Sequence, residues 1–159
     1  MIATKPTQVR NIILTHRTKP LTTLTTLKNM PQFYPNHVPD DVSPYISGYL
    51  TAAEWCCLGE NGGETPKMGH GFTNKSKEKA ARDVERFLSE NQEDINIFLE
   101  SGFSEELVGH NFYLNRNHHG SGFWDENGCD KAVLDRLSES SKNFGECDSM
   151  AIRGWIYLE

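Results

Sequence analysis

From residue 43 onward, apolar positions along the chain recur with the spacing of helices. Ile46, Tyr49, Leu50, Ala53 and Cys57 predict a first helix, with Ser43 as its N-cap, Pro44 at the first helical position and Gly59 at its end. Gly59, Gly62, Gly63, Gly69 and Gly71 then make residues 59–72 a glycine-rich connection. Ala80, Val84, Phe87 and Leu88 lie opposite Lys77, Arg82 and Glu85, which predicts a second helix over 76–90. Ile95, Phe98 and Leu99 predict a third over 92–101, stopped by Gly102. At 110–116 the period shortens to two: Phe112 and Leu114 alternate with Asn111, Tyr113 and Asn115, the pattern of a strand. Ala132, Val133 and Leu137 predict a helix over 130–143, with Gly145 as its left-handed cap. Met150, Ile152, Ile156 and Leu158 alternate with Arg153, Trp155 and Tyr157 in a last strand, placed to pair antiparallel with the first. The expected fold is a small single α+β domain over 43–159, about four helices packed on a two- to three-stranded antiparallel sheet.

The first forty residues lack such periodicity. Thr22, Thr23, Thr25 and Thr26 sit in a proline-rich, acid-free stretch, and Val9 to Leu14 is its one β-like run. Residues 1–42 are expected to be a basic, Thr/Pro-rich extended arm that stays disordered, because too few apolar groups offset the entropy of ordering it. The composition is shared with organelle transit peptides, and Met30 is an alternative start.

Charge changes the picture further. Residues 1–39 hold five bases and no acid, while residues 40–159 hold the other eleven bases and all 22 acids, a split of +5 and −11. An acidic body opposes binding to nucleic acid, which the arm alone would favour weakly. The acids of the predicted helices, Glu85, Glu90, Glu93, Asp94, Glu100, Glu105 and Glu106, suit solvent or a protein partner with a basic surface. Lys75, Lys77 and Lys79 open a helix, where cations oppose the macrodipole, and are read as a solvated face.

At 159 residues the expectation is one domain, burying roughly 70% of the surface of its unfolded chain. No run approaches the ~18 apolar residues of a membrane span, and the N-terminus has no apolar signal run. A soluble protein with no membrane association is expected. Cys56, Cys57, Cys129 and Cys147 form no Cys-x-x-Cys pair and read as free thiols.

Residues 109–125 concentrate the candidate chemistry: Arg116, His118, His119, Gly120, Gly122, Phe123, Trp124 and Asp125 fall within ten positions. Here Phe112, Leu114, Arg116, Asn117, His119, Gly120, Gly122, Phe123, Trp124 and Asp125, with the later Phe144-Gly145-Glu146, carry a resemblance. From about Ser43 to Asp148 the chain resembles a family of small, uncharacterised tailed-bacteriophage proteins. Two positions depart from that family: His118 stands where it has glycine, and Glu126 where it has a basic residue. The resemblance implies a phage-encoded protein in the host cytoplasm and brings no reaction with it.

Three uses of the motif are open. His110, His118, His119, Asp125 and Cys129 are potential metal donors, with His110, His119 and Asp125 the set to examine, although their spacing is not that of a zinc finger. In a catalytic reading, Arg116 clamps an anionic group, His119 is the acid–base and Asp125 orients it, with Ser121 or a substrate hydroxyl supplying the proton. The flanked Ser121 is not a nucleophile elbow, since no helix starts directly after it. In a structural reading, Gly120 and Gly122 build a tight loop, Phe123 and Trp124 pin it to the core, and Asp125 caps the next helix or pairs with Arg116. The glycine-rich stretch lacks the patterns of a phosphate loop, and His70 within it reads as a loop residue. No cofactor is expected. The leading expectation is an accessory protein that acts by binding, to a host or defence component. The alternative is a small hydrolase or nucleotide-processing enzyme with its site at 116–125.

Overall fold

A computed structural model describes residues 42–60 and 71–159, with side chains from 58 to 60 excepted. The expectations for the arm, for Val9 to Leu14 and for residues 61–70 lie outside these residues. The described part is a small α+β structure with helices α1 (Pro44–Glu60), α2 (Asn74–Glu90), α3 (Gln92–Glu100), α4 (Glu105–Arg116) and α5 (Lys131–Lys142). Strands β1 (Gly71–Phe72), β2 (Ser149–Ile152) and β3 (Trp155–Leu158) form one sheet, and Phe123–Asp125 is a single 3-10 turn. Among the described residues no helix is long and apolar enough to cross a membrane.

Local chemistry accounts for most helix ends. The Ser43 hydroxyl accepts the N–H of Ile46, ahead of Pro44. Thr73 and Ser104 accept the N–H groups of Ser76 and Leu107, and Asp130 accepts that of Ala132. Glu93 and Asp94 in the first turn of α3, and Glu105 and Glu106 in that of α4, complement the helix dipoles. Gly102 and Gly145 adopt left-handed conformations just beyond α3 and α5, as expected from their positions.

The sheet departs from expectation. Residues 105–116 form a helix, not a strand, so there are five α-helices rather than four. The period of two misleads because Asn111 and Asn115 are buried together with Phe112, Tyr113 and Leu114. A helix enclosed on nearly all sides loses the polar stripe that reveals its period. The single expected last strand is instead the hairpin β2–β3, turned by Arg153 and Gly154, both at positive φ as a two-residue type I′ turn requires. β1, placed in the glycine-rich connection by sequence, pairs parallel to β3, giving the order β1-β3-β2 and a mixed rather than antiparallel sheet. Ser76 joins α2 to this sheet: its hydroxyl donates to the Ile156 carbonyl and accepts the Leu158 N–H.

Aromatic rings fill the centre. Phe87 stacks on Phe112 with centroids 4.2 Å apart, and Phe98 on Phe103 at 4.3 Å. Phe123, fully buried, reaches both Phe87 and Phe98. α1 and α4 run in the same sense and touch backbone to backbone. A Cβ on Gly48 would overlap the Glu106 carbonyl, and one on Gly109 the Tyr45 carbonyl. Glycine at both positions is what lets the two helices approach so closely. None of the four cysteines is in a disulfide, and Cys56, Cys57 and Cys147 are buried.

Candidate functional site

Side chains four residues apart share a helix face, and α4 carries three such pairs with three different fates. Asn111 and Asn115 face the loop that follows. Asn111 donates to the Glu126 carboxylate at 2.8 Å, and the Asn115 Oδ1 accepts the Phe123 N–H at 2.7 Å. Gly122 lies against this amide, at φ +154, and a Cβ there would overlap Asn115 Oδ1. The loop is therefore seated on a buried asparagine, with Phe123 as its apolar plug. Trp124 points to solvent.

Phe112 and Arg116 form the second pair and enter the interior. Arg116 is 2% exposed. Its Nη1 donates to the Tyr49 hydroxyl at 2.9 Å and to the Asp83 carboxylate at 2.7 Å. Its Nε donates to the Gly145 carbonyl at 2.8 Å and its Nη2 to the Phe144 carbonyl at 3.0 Å. The guanidinium also lies over the rings of Phe112 and Phe144. Burial opposes its charge, yet its pKa is raised, because Tyr49, Asp83 and Cys147 favour the cation. Burial pushes the Tyr49 phenol far above its usual range, with Arg116 pulling in the other direction. Arg116 thus ties α1, α2 and the segment after α5 to α4.

The third pair, His110 and Leu114, lies along the seam with α1, Leu114 buried and His110 half-buried. The end of α4 brings His119 to the same side. Asn117 ends the helix, the His118 N–H bonds the Asn115 carbonyl, and the His119 N–H bonds the Leu114 carbonyl at 3.0 Å. This is a Schellman ending, which requires a left-handed residue next after the cap. That residue is His118, at φ 55. Its ring is exposed and 3.8 Å from the Glu146 carboxylate, too open a pair to add much.

His110, Leu114, His119 and Ser121 line one cavity of about 540 Å³ with Thr51 and Trp55 of α1. A neighbouring cavity of about 400 Å³ shares Thr51 and His110 and extends along the seam to Ser47, Ser104 and Glu106. The two adjoin as one groove. His110 holds its middle, and its Nδ1 is buried with no hydrogen-bond partner in the structure.

The residues read from sequence as one catalytic set therefore have separate surroundings. His119 lines the groove, half-buried and stacked near Tyr113. Asp125 is exposed and accepts from the Ser121 hydroxyl at 3.3 Å. Arg116 is held inside by Tyr49, Asp83 and two carbonyls. Asp125 neither caps the following helix, a role taken by Asp130, nor pairs with Arg116, whose acid is Asp83. Of the metal candidates, His110 and His119 share a cavity that Asp125 does not line, and among the described residues no three His, Cys, Asp or Glu are grouped to hold a metal.

Trp55 and Thr51 escaped the sequence reading. The available signal was a tryptophan off the apolar stripe of its helix, at a position a soluble helix face gives to polar residues. Searches of the chain against family models, curated proteins and solved structures find no match.

Proposed function

We propose that this chain acts by binding rather than by catalysis. In this reading it is an accessory protein of a tailed bacteriophage, and its partner is a host or defence component in the host cytoplasm that presents a basic surface. The observation carrying the first part is the use made of Arg116. Its hydrogen bonds all run to groups of the fold, so the His119–Asp125 pair lacks its anion clamp. The sign of the partner is supported by Glu93, Glu100, Glu105 and Glu106, exposed on the adjoining helices α3 and α4 and in no ion pair among the described residues. Such a face speeds encounter with basic surfaces and weakens in salt. The phage setting is supported by the motif at 109–125, whose glycine position coincides with a left-handed residue here.

The tagged protein is expected to retain a protein from host lysate at low salt and release it at moderate salt. A variant with Glu93, Glu100, Glu105 and Glu106 all changed to glutamine is expected to retain none. Equal retention by both, or none by either, contradicts the reading. The enzyme alternative, a small hydrolase or nucleotide-processing activity, keeps one favourable observation: His119 and Ser121 line a single cavity. Turnover abolished by His119→Ala and preserved in Trp124→Ala, an exposed ring that lines neither cavity, would establish it instead.

A further inference from the structure

The groove between α1 and α4 has a chemistry of its own. Its polar lining consists of the hydroxyls of Ser47, Thr51, Ser104 and Ser121 and the imidazoles of His110 and His119, together with the carboxylate of Glu106. No lysine or arginine is among its described lining residues. Hydroxyls, and imidazoles through their two nitrogens, can both donate and accept, which matches the alternating N–H and C=O groups of a peptide backbone better than it matches an anion. His110 lines the middle of the groove, and its buried Nδ1 has no hydrogen-bond partner in the structure.

The two ends of the groove both suit cations. Glu106 stands at one end, exposed and outside every ion pair among the described residues. At the other end Trp55 is 65% exposed, the most exposed large apolar side chain described. Tryptophan gives the best ring face for a cation and is among the residues that dominate binding energies at interfaces. Gly48 touches the Glu106 backbone, and Trp55 lies seven residues further along the same helix, a rise of about 10 Å along its axis. In a polyproline-II segment, residues three apart share a face at about 9 Å.

We propose that this groove receives an extended basic segment of the protein partner, of the pattern Arg-x-x-Arg, with one guanidinium on Glu106 and the other over the indole of Trp55. The proposal rests on the binding reading above and names the place and the ligand. It uses side chains that the fold leaves exposed, so their removal does not unfold the protein.

The test titrates the full chain into labelled, otherwise neutral peptides that carry two arginines at varied separation, with prolines between them, at low and moderate salt. Affinity is expected to peak at Arg-x-x-Arg. Trp55→Ala is expected to lower it about 5- to 30-fold. Glu106→Gln is expected to lower it several-fold and to flatten the salt dependence. Both variants should melt with the wild type. Binding that ignores the separation and survives Trp55→Ala overturns the groove as the site, while leaving a basic partner in place. Failure of every basic peptide to bind overturns both.

Discussion

Two faces of α4 treat polar side chains in opposite ways. Arg116 is buried with partners on every side: a tyrosine hydroxyl, a carboxylate, two carbonyls and two aromatic rings. His110, less than two turns earlier, opens on a groove and keeps a ring nitrogen with no partner. By residue type alone, arginine in a glycine- and histidine-rich motif is the stronger candidate for chemistry. Surroundings reverse the order. A side chain whose hydrogen bonds are all made inside the fold holds the fold, and one that lines an open groove is available to a ligand.

The largest effect should separate these two faces. Arg116→Met would leave Asp83, the Tyr49 hydroxyl and two carbonyls without their donor, and breaking a buried pair of this kind costs about 3–5 kcal/mol. That is a large share of the roughly 5–15 kcal/mol a domain possesses. His119→Ala should stay within about 1 kcal/mol, as expected away from buried networks. Urea unfolding of both variants checks this, and equal losses would erase the distinction.

The same contrast recurs between neighbours in the loop. Phe123→Ala empties a site between Phe87 and Phe98 and should cost about 3–5 kcal/mol, whereas exposed Trp124→Ala should stay within about 0.5 kcal/mol. Thermal melts of the two proteins side by side would show it. Next in size, Gly109→Ala drives a methyl into the Tyr45 carbonyl and should cost about 1–3 kcal/mol as α1 and α4 are pushed apart. Because the groove lies on that seam, its peptide affinity should fall as well. The smallest expected effect is a gain. His118→Gly relieves a left-handed residue at φ 55 and should stabilise by a few tenths to about 1 kcal/mol, read as a rise in melting temperature.

Much of the helical frame was legible in the residues. Ser43-Pro44 at the start of α1, and Gly102 and Gly145 after α3 and α5, act through chemistry local to a few positions. The failures lie where the decisive partner is distant in sequence. α4 resembled a strand because Asn111 and Asn115 are buried by a loop that follows them, and nothing local says so. Its own start signal, Ser104 ahead of Glu105 and Glu106, was present and was outweighed by the alternation. Arg116 stands out by sequence as an anion clamp or as a partner of Asp125, but its acid is Asp83, which lies 33 positions away where Asp125 lies only nine. Phe123 and Trp124 both read as rings that pin the loop to the core, and only Phe123 does so; nothing local distinguishes the two. The groove was illegible for the same reason: Trp55 and His110 meet only because Gly48 and Gly109 let two helices touch.

The division between the two faces of α4 is tested most directly by measuring stability and affinity together in Arg116→Lys and Trp55→Ala. Lysine keeps the charge but loses the planar fork that reaches Tyr49, Asp83 and the two carbonyls at once. Arg116→Lys should lose about 2 kcal/mol or more of unfolding free energy. Where still folded, it should bind the Arg-x-x-Arg peptide within about twofold of wild type, as expected for independent sites. Trp55→Ala should unfold with the wild type and bind about 5- to 30-fold more weakly. An Arg116→Lys protein of full stability and lost affinity, or a Trp55→Ala protein of lost stability and full affinity, would contradict it.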